Sequence, residues 1–172
     1  TQSGQHGLVQ TCHRVARSTR IGRARTLAGP TGESNVYSWR GRRAVLCLAS
    51  SDADRLTQLA AVLAVGSTAV WPADAPNHAL HASLPATVKQ AIVMARDWGA
   101  PTVAFDAVLH HGERDGLTLV MQRIAERDGP IVGVRSFLPG ATRIPLEALV
   151  IERSLSVNTA AAGGNASLMT VG

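Results

Sequence analysis

The hydrophobic run Ala44-Val45-Leu46-Cys47-Leu48-Ala49 and the residues that follow it decide the fold of this 172-residue chain. Because no position in the run is charged or strongly polar, it is typical of a strand buried on both faces of a sheet. Ser51 then provides a helix N-cap, and acidic residues follow in the first turn, where the helix dipole favours them. The pattern predicts a helix over residues 52–65 that ends at Gly66. A buried strand followed by such a helix indicates an α/β domain.

The rest of the chain continues this alternation of strands and helices. The predicted strands cover residues 34–40, 44–49, 67–71, 102–110, 131–137 and 152–158. The predicted helices cover residues 52–65, 85–98, 116–127 and 145–149, with residues 73–84 as a loop. Strands joined by helices at this spacing favour right-handed crossovers around a parallel sheet. The predicted fold class is α/β, with a three-layer Rossmann-like parallel sheet over residues 27–150.

The spacing of apolar residues predicts the side that each helix turns toward the sheet. The residues expected to face inward are Leu56, Leu59, Ala60 and Leu63, then Val88, Ile92 and Ala95, and finally Leu119, Val120 and Ile124. Aromatic residues make up only 3% of the chain, so we expect Ala, Val, Leu and Ile to build the core.

The composition excludes several classes of protein. Hydrophobic residues make up 45% and charged residues 17% of the chain, which argues against intrinsic disorder. The sequence has no apolar run of about 18 residues, the length from which a membrane-spanning helix is suspected. The first residues also lack the charged and then apolar pattern of a signal peptide. We therefore expect a cytoplasmic protein without a membrane span.

Positive charge is concentrated at the start of the chain. Residues 1–43 carry eight arginines and one glutamate, a net +7, whereas the remainder carries a net −2. A basic face of this kind either binds phosphate or nucleic acid, or is solvated or paired with an acidic neighbouring domain. No aromatic residue lies among the arginines of residues 14–25, so we expect no nucleic-acid partner. Residues 1–26 are interpreted as a basic arm or a linker from a preceding module, either helical or extended over residues 11–25.

A Rossmann-like sheet raises the question of a dinucleotide cofactor. The fingerprint for such a cofactor places Gly-x-Gly-x-x-Gly in the first turn between strand and helix. Here that turn spans residues 49–54, has no glycine and carries two carboxylates that would repel a pyrophosphate. Gly163-Gly164-Asn165 is no substitute, because no helix follows a strand there. The sequence predicts no cofactor, and an independent NAD(P)-binding enzyme is the alternative.

Candidate catalytic and metal-binding residues are few. Cys12 follows Gln10 as in the surroundings of an aldehyde dehydrogenase nucleophile, but no partner glutamate can be named. Cys47 is interpreted as a buried hydrophobic residue. Four histidines fit no zinc spacing and are interpreted as surface loop residues: His78, His81, His110 and His111. Four carboxylates are interpreted as charges at helix ends: Glu113, Asp115, Glu126 and Asp128. The sequence therefore predicts no catalytic residue and no metal site.

The end of the chain has the pattern of a docking segment. Residues 154–158 alternate between polar and apolar side chains, as in a half-buried strand. Small residues and a Gly-Gly pair follow, and they allow close approach of the backbone to another surface. An apolar group then lies at residues 168–171. The predicted docking residues are Arg153, Ser154, Asn158, Thr159, Gly163, Gly164, Asn165, Leu168 and Met169.

The same end carries a family resemblance. Residues 152–172, Glu-Arg-Ser-Leu-Ser-Val-Asn-Thr-Ala-Ala-Ala-Gly-Gly-Asn-Ala-Ser-Leu-Met-Thr-Val-Gly, closely resemble the conserved C-terminal motif of long proline utilisation A proteins. Residues 27–37 are similar to the family's entry into the same domain. Residues 43–49, together with 59–66, give a third match to the family. The resemblance covers residues 27–172.

The resemblance implies a function for the whole polypeptide. Such proteins join a proline dehydrogenase to an L-glutamate-γ-semialdehyde dehydrogenase, with FAD and NAD bound by other modules, and some associate with the inner membrane. The matching C-terminal domain is similar to the NAD-binding domain of aldehyde dehydrogenases but binds no nucleotide. It is expected to be a noncatalytic lid that covers the aldehyde dehydrogenase module and the substrate-channelling cavity. Because a docking segment without its host can pair with a second copy, self-association of the isolated domain is also expected.

Overall fold

The computed structural model describes residues 13, 16–17, 19–30 and 32–158. The described chain divides into two compact units. The first, the α/β unit, contains residues 41–150, and the second, the small-sheet unit, joins residues 20–40 to residues 151–158. Much of the predicted arm and of the predicted docking segment lies outside the described residues, so those two boundaries stay predictions.

The small-sheet unit contains a three-stranded sheet. Its strands lie in the order β1 (Ala24–Leu27), β2 (Glu33–Gly41) and β8 (Val150–Asn158). Strands β1 and β2 form an antiparallel pair, and Gly32 before β2 has a φ of 89°, a value that favours glycine. The predicted last strand is present and lies in this sheet, beside the strand predicted over residues 34–40, which therefore does not belong to the parallel sheet.

The α/β unit alternates strands and helices as the sequence predicted. Its strands are β3 (Ala44–Ala49), β4 (Thr68–Pro72), β5 (Ile92–Ala95), β6 (Ala107–His111) and β7 (Val134–Phe137). Its helices are α1 (Asp52–Ala64), α2 (Ala75–Ser83), α3 (Ala86–Lys89) and α4 (Arg114–Ala125), followed by a 3-10 helix at Leu146–Leu149. The five strands lie in the order β5-β4-β3-β6-β7, and every pair is parallel. The predicted parallel α/β fold class is confirmed.

The core of this unit lies against both faces of the sheet. Val45 and Leu46 of β3 have no exposed surface, as expected for a strand with neighbours on both sides. Trp71 of β4 and Leu109 of β6 are also fully buried. Each such side chain contributes about 1.5–3 kcal/mol through its removal from water. The buried strands therefore fix the centre of the sheet.

The structure corrects the predicted elements between residues 73 and 98. The predicted loop contains helix α2, which begins after Asp74, whose carboxylate accepts a hydrogen bond from the Asn77 amide at 2.8 Å. The predicted long helix is instead the short α3 and strand β5. Ile92 and Ala95 are buried as expected, but in a strand. The sequence Ile-Val-Met-Ala fits both patterns, and pairing with β4 decides between them.

The structure also corrects the faces of two helices. In α1, Leu59 and Ala60 are buried as predicted, whereas Leu56 and Leu63 are only half-buried. The residues buried beside them include Asp54, Arg55 and Gln58. In α4, Val120 and Ile124 pack on the core, but Leu119 is 67% exposed. The apolar pattern missed the true face of α1 because buried polar residues occupy much of it.

Candidate functional site

The candidate site lies at the carboxyl ends of β3 and β6. These adjacent strands are the point where the order of the sheet reverses, because the chain fills one half of the sheet before it crosses to the other. Open α/β sheets bind ligands in the crevice at this switch point. Here Ala49 at the end of β3 is paired with His111 at the end of β6. The first turn of α1 follows β3 directly.

Ser51 and Asp54 close the amino end of α1. The Ser51 hydroxyl oxygen accepts a hydrogen bond from the Asp54 amide at 3.1 Å and donates to the Asp54 carboxylate at 2.7 Å. Ser51 therefore caps the helix as the sequence predicted. Asp54 is only 4% exposed, so it places a buried carboxylate at the end of the helix where a phosphate would otherwise be favoured.

A turn over residues 138–141, the Gly140 turn, closes the other side of this carboxylate. The Gly140 amide donates to Asp54 Oδ1 at 2.9 Å. The Ala141 amide donates to the Leu138 carbonyl at 3.1 Å, and Gly140 has a φ of 80°. Pro139 followed by a glycine with positive φ is typical of a type II turn. The turn thus presents a backbone donor to a carboxylate that lacks a cationic partner among the described residues.

His111 links the same turn to α1. Its Nδ1 lies 2.9 Å from Gln58 Nε2, and its Nε2 lies 3.0 Å from the Ala141 carbonyl. The carbonyl can only accept, so His111 Nε2 carries the proton and Nδ1 accepts from the amide of Gln58. The same Gln58 nitrogen donates to the Leu48 carbonyl at 3.0 Å, which fixes the orientation of the amide. The switch point is therefore filled by side chains that bind one another.

His110 lies on the opposite face of β6, as expected for neighbouring residues of a strand. Its Nδ1 is 3.0 Å from the Ser136 hydroxyl of β7. Burial lowers the pKa of His110 below its ordinary 6.5, and the neighbouring His111 lowers it further. A Cβ on Gly112 would lie 2.7 Å from the His110 ring, so the ring needs glycine there.

The interpretation of the four histidines as surface loop residues was wrong for two of them. His110 and His111 are 6% and 2% exposed at the end of a strand. His78 and His81 do lie near the surface, although in helix α2. Among the described residues, no group of three or more His, Cys, Asp or Glu side chains is arranged to hold a metal ion.

The predicted docking residues fall into two groups. Arg153, Ser154 and Asn158 lie in β8, where all three are exposed. The others, Thr159, Gly163, Gly164, Asn165, Leu168 and Met169, lie outside the described residues. Strand β8 also exposes three apolar side chains, Ile151, Leu155 and Val157, at 44–48%. A hydrogen bond with the Glu152 carboxylate raises the pKa of Tyr37 in β2.

The structure adds an aromatic contact that the sequence did not reveal. Arg20 lies over the ring of Trp39, 5.6 Å from its centroid, and Trp39 packs edge-on against Tyr37. Trp39 is distant from Arg20 in sequence and becomes its neighbour only through the small-sheet unit. Arg20, one of the eight arginines of residues 1–43, therefore makes a cation–π contact within the small-sheet unit.

The two cysteines offer no reactive thiol among the described residues. Cys47 is buried in β3, and burial raises the pKa of its thiol far above the ordinary value. Cys12 lies outside the described residues. Within the described part of the chain, the structure holds no helix that is long and apolar enough to cross a membrane.

Comparison with solved structures defines the class of this protein. An aldehyde dehydrogenase from Bacillus cereus superposes with a TM-score of 0.59 at 19% identity, over 80% of this chain and 30% of the enzyme. Proline utilization A from Bradyrhizobium japonicum superposes with a TM-score of 0.56 at 22% identity, over 75% of this chain and 15% of that protein. The chain therefore has an aldehyde dehydrogenase-like fold.

Sequence comparison then gives the family. The chain is 50% identical to the bifunctional protein PutA of Escherichia coli over 161 residues, which is 94% of this chain. The match covers 12% of the length of that relative. No protein-family profile matches the chain. The chain is thus homologous to one segment of the bifunctional PutA proteins, and the predicted family is confirmed.

Proposed function

We propose that this chain is a noncatalytic lid and assembly domain of a bifunctional proline-oxidising PutA enzyme. In this role it covers the aldehyde dehydrogenase module of the same polypeptide and the cavity through which the intermediate passes. The chain spans about 12% of the length of its PutA relatives. The proposal assigns the proline dehydrogenase, the second dehydrogenase and their FAD and NAD to the remaining length.

The observation that carries the proposal is the closed switch point, by which we mean the carboxyl ends of β3 and β6 with the hydrogen bonds made there by Asp54 and His111. In an aldehyde dehydrogenase-like sheet, this crevice is where a dinucleotide would be held. Here Asp54 is bound to the Gly140 amide, and His111 is bound to both Gln58 and the Ala141 carbonyl. Asp54 Oδ1 and both ring nitrogens of His111 are thus already hydrogen-bonded within the chain.

The charge at this point supports the same conclusion. A pyrophosphate needs free amides at the start of a helix and glycines that let it approach the backbone. The first turn of α1 offers the carboxylates of Asp52 and Asp54, and the Asp54 amide already donates to Ser51. These residues do not fit a dinucleotide, which supports a noncatalytic role for this domain.

Strand β8 supports the docking part of the proposal. It is nine residues long, eight of them are exposed, and three of the exposed ones are large and apolar. A long exposed strand at the edge of a sheet readily pairs with another chain unless it is covered. The predicted docking residues begin on this strand and continue beyond the described part of the chain.

The experiment uses the full-length polypeptide with residues 154–172 deleted. We expect the coupled conversion of proline to glutamate to fall by about tenfold or more, while proline oxidation alone is retained, because the lid acts between the two reactions. Leu168→Asp should reproduce part of this loss, and Ser167→Asp, which adds the same charge one residue earlier, should not. Coupled kinetics unchanged by the deletion would exclude the lid role. Saturable NAD binding that Asp54→Arg alters would favour the dinucleotide-binding alternative.

A further inference from the structure

Strand β7 is an edge strand of the five-stranded sheet, and its outer edge is unpaired among the described residues. The Gly133 and Phe137 carbonyls accept hydrogen bonds from Val108 and Gly112 of the β6 segment. Because a strand alternates the direction of its backbone groups, Arg135 also faces β6. The amides and carbonyls of Val134 and Ser136 therefore point outward.

A cleft of about 450 Å³ lies between β7 and the segment that leads into the 3-10 helix. One wall consists of β7 residues Arg135, Ser136 and Phe137, and the other consists of Pro145, Glu147 and Ala148 near the 3-10 helix. Arg135 and Glu147 form no ion pair among the described residues, so the cleft presents one positive and one negative side chain. An unpaired strand edge is the place where proteins accept an additional strand.

Exposed apolar residues flank the strand at both ends. Ile131, three residues before β7, is fully exposed, and Leu138, directly after it, is 69% exposed. Large apolar side chains on both sides of a free edge are typical of a surface that is covered in the assembled protein.

We propose that the outer edge of β7 binds an extended segment of the aldehyde dehydrogenase module of the same polypeptide as a sixth strand. The inference rests on the proposed function, because about seven-eighths of the length of the relatives lies outside this chain and supplies the occupant. The segment pairs with the outward groups of Val134 and Ser136. It places an acidic side chain toward Arg135 and a basic one toward Glu147, and its apolar residues contact Ile131 and Leu138.

Hydrogen exchange in the full-length polypeptide tests this pairing. The amides of Arg135 and Phe137 are protected by β6 in either case, so they serve as the internal reference. A sixth strand should slow exchange at Val134 and Ser136 by about tenfold or more relative to an unpaired edge. Exchange of these two amides at the rate of an exposed loop would overturn the proposal.

Two variants of one residue sharpen the test. Ser136→Pro removes an outward amide, and Ser136→Ala removes only the hydroxyl that contacts His110. We expect Ser136→Pro to restore fast exchange at Val134, and Ser136→Ala to leave it slow. Equal effects of the two variants would assign the change to the loss of the His110 contact and contradict the edge pairing.

The remaining outcomes separate this proposal from the lid function. Fast exchange at Val134 and Ser136, in a polypeptide whose coupled reaction still depends on residues 154–172, would overturn the edge pairing and leave the lid intact. Protection that increases with protein concentration would assign the edge to a second copy of the chain and overturn the proposed occupant. Slow, concentration-independent exchange would support the edge pairing even if the deletion had no effect on coupling.

Discussion

The Asp54 carboxylate accepts a hydrogen bond from the Gly140 amide at 2.9 Å, although the two residues are 86 positions apart. The contact joins the start of the first helix of the α/β unit to a turn that follows its last strand. Asp54 is 4% exposed, so water cannot readily take its place as the acceptor of the Gly140 amide. The contact both stabilises the fold and occupies the place where a Rossmann-like sheet holds its ligand.

Replacement of Asp54 by alanine should destabilise the α/β unit. The change leaves the Gly140 amide without its acceptor and removes the partner of the Ser51 hydroxyl, at a cost of about 1–3 kcal/mol. Urea unfolding measures the difference. Asp115→Ala, which removes an exposed carboxylate from the first turn of α4, is the matched control and should cost less than about 1 kcal/mol. Equal losses in the two variants would contradict the role of the Gly140 contact.

Arg127 should be far more important for stability than Arg123. Its guanidinium donates to the carbonyls of Trp98, Ala100 and Val103 at 2.7–2.8 Å and lies over the ring of Phe105. Arg127→Ala removes the side-chain donor of the Trp98 and Val103 carbonyls, whereas the Ala100 carbonyl keeps the Val103 amide, and the change should cost about 3 kcal/mol.

Arg123 provides the control for this change. It also stacks on Trp98, but its side chain is 46% exposed and pairs with an exposed Asp97. Arg123→Ala should cost about 1 kcal/mol or less. Thermal unfolding of both variants distinguishes them, and a smaller loss for Arg127→Ala would refute the assignment.

The lowered pKa of His110 predicts that acid destabilises the fold. The unfolded chain binds a proton near the ordinary pKa of 6.5, whereas the folded chain binds it only at lower pH because the ring is buried. Stability is therefore complete above about pH 6.5 and falls as the pH decreases toward the folded pKa. His110→Gln should reduce the pH dependence of the free energy of unfolding between about pH 5 and 7. His78→Gln, at an exposed position, should leave this pH dependence unchanged.

Cys47 should be unreactive while the protein is folded. Its thiol is buried in β3 and its pKa is raised, so little thiolate exists at neutral pH. In a Cys12→Ser background, labelling by a thiol reagent should be at least about 100-fold slower in buffer than in denaturant. Labelling at the same rate in both conditions would show that the centre of the sheet opens readily.

The strand and helix over residues 44–66 could be predicted because their signals are local. A fully apolar run, the Ser51 cap and Gly66 all act within a few residues, and Gly66, where the helix was predicted to end, has a positive φ of 71°. Helix α2 carried a local signal as well, since Asp74 is a cap and Pro76 lies in the first turn. That signal was outweighed by the polar composition of residues 73–84.

The closed switch point could not be predicted in the same way. The sequence shows that the turn after β3 lacks glycine and carries acidic residues, and both features indicate that a phosphate is disfavoured. Nothing local indicates that Asp54 meets Gly140 or that His111 meets Gln58, because these contacts depend on the register of β3 and β6. His110 and His111 were interpreted as surface residues for the same reason, since only the sheet shows that their strand is central.

The order of strands in the small sheet has a consequence for synthesis of the protein. Strands β1 and β2 leave the ribosome first, yet their neighbour β8 begins only at Val150, after the whole α/β unit. A hairpin of two strands is marginally stable in water, and closure across so long an intervening segment is slow. The three-stranded sheet can therefore be completed only after the α/β unit has been translated, when β8 becomes available to pair with β2.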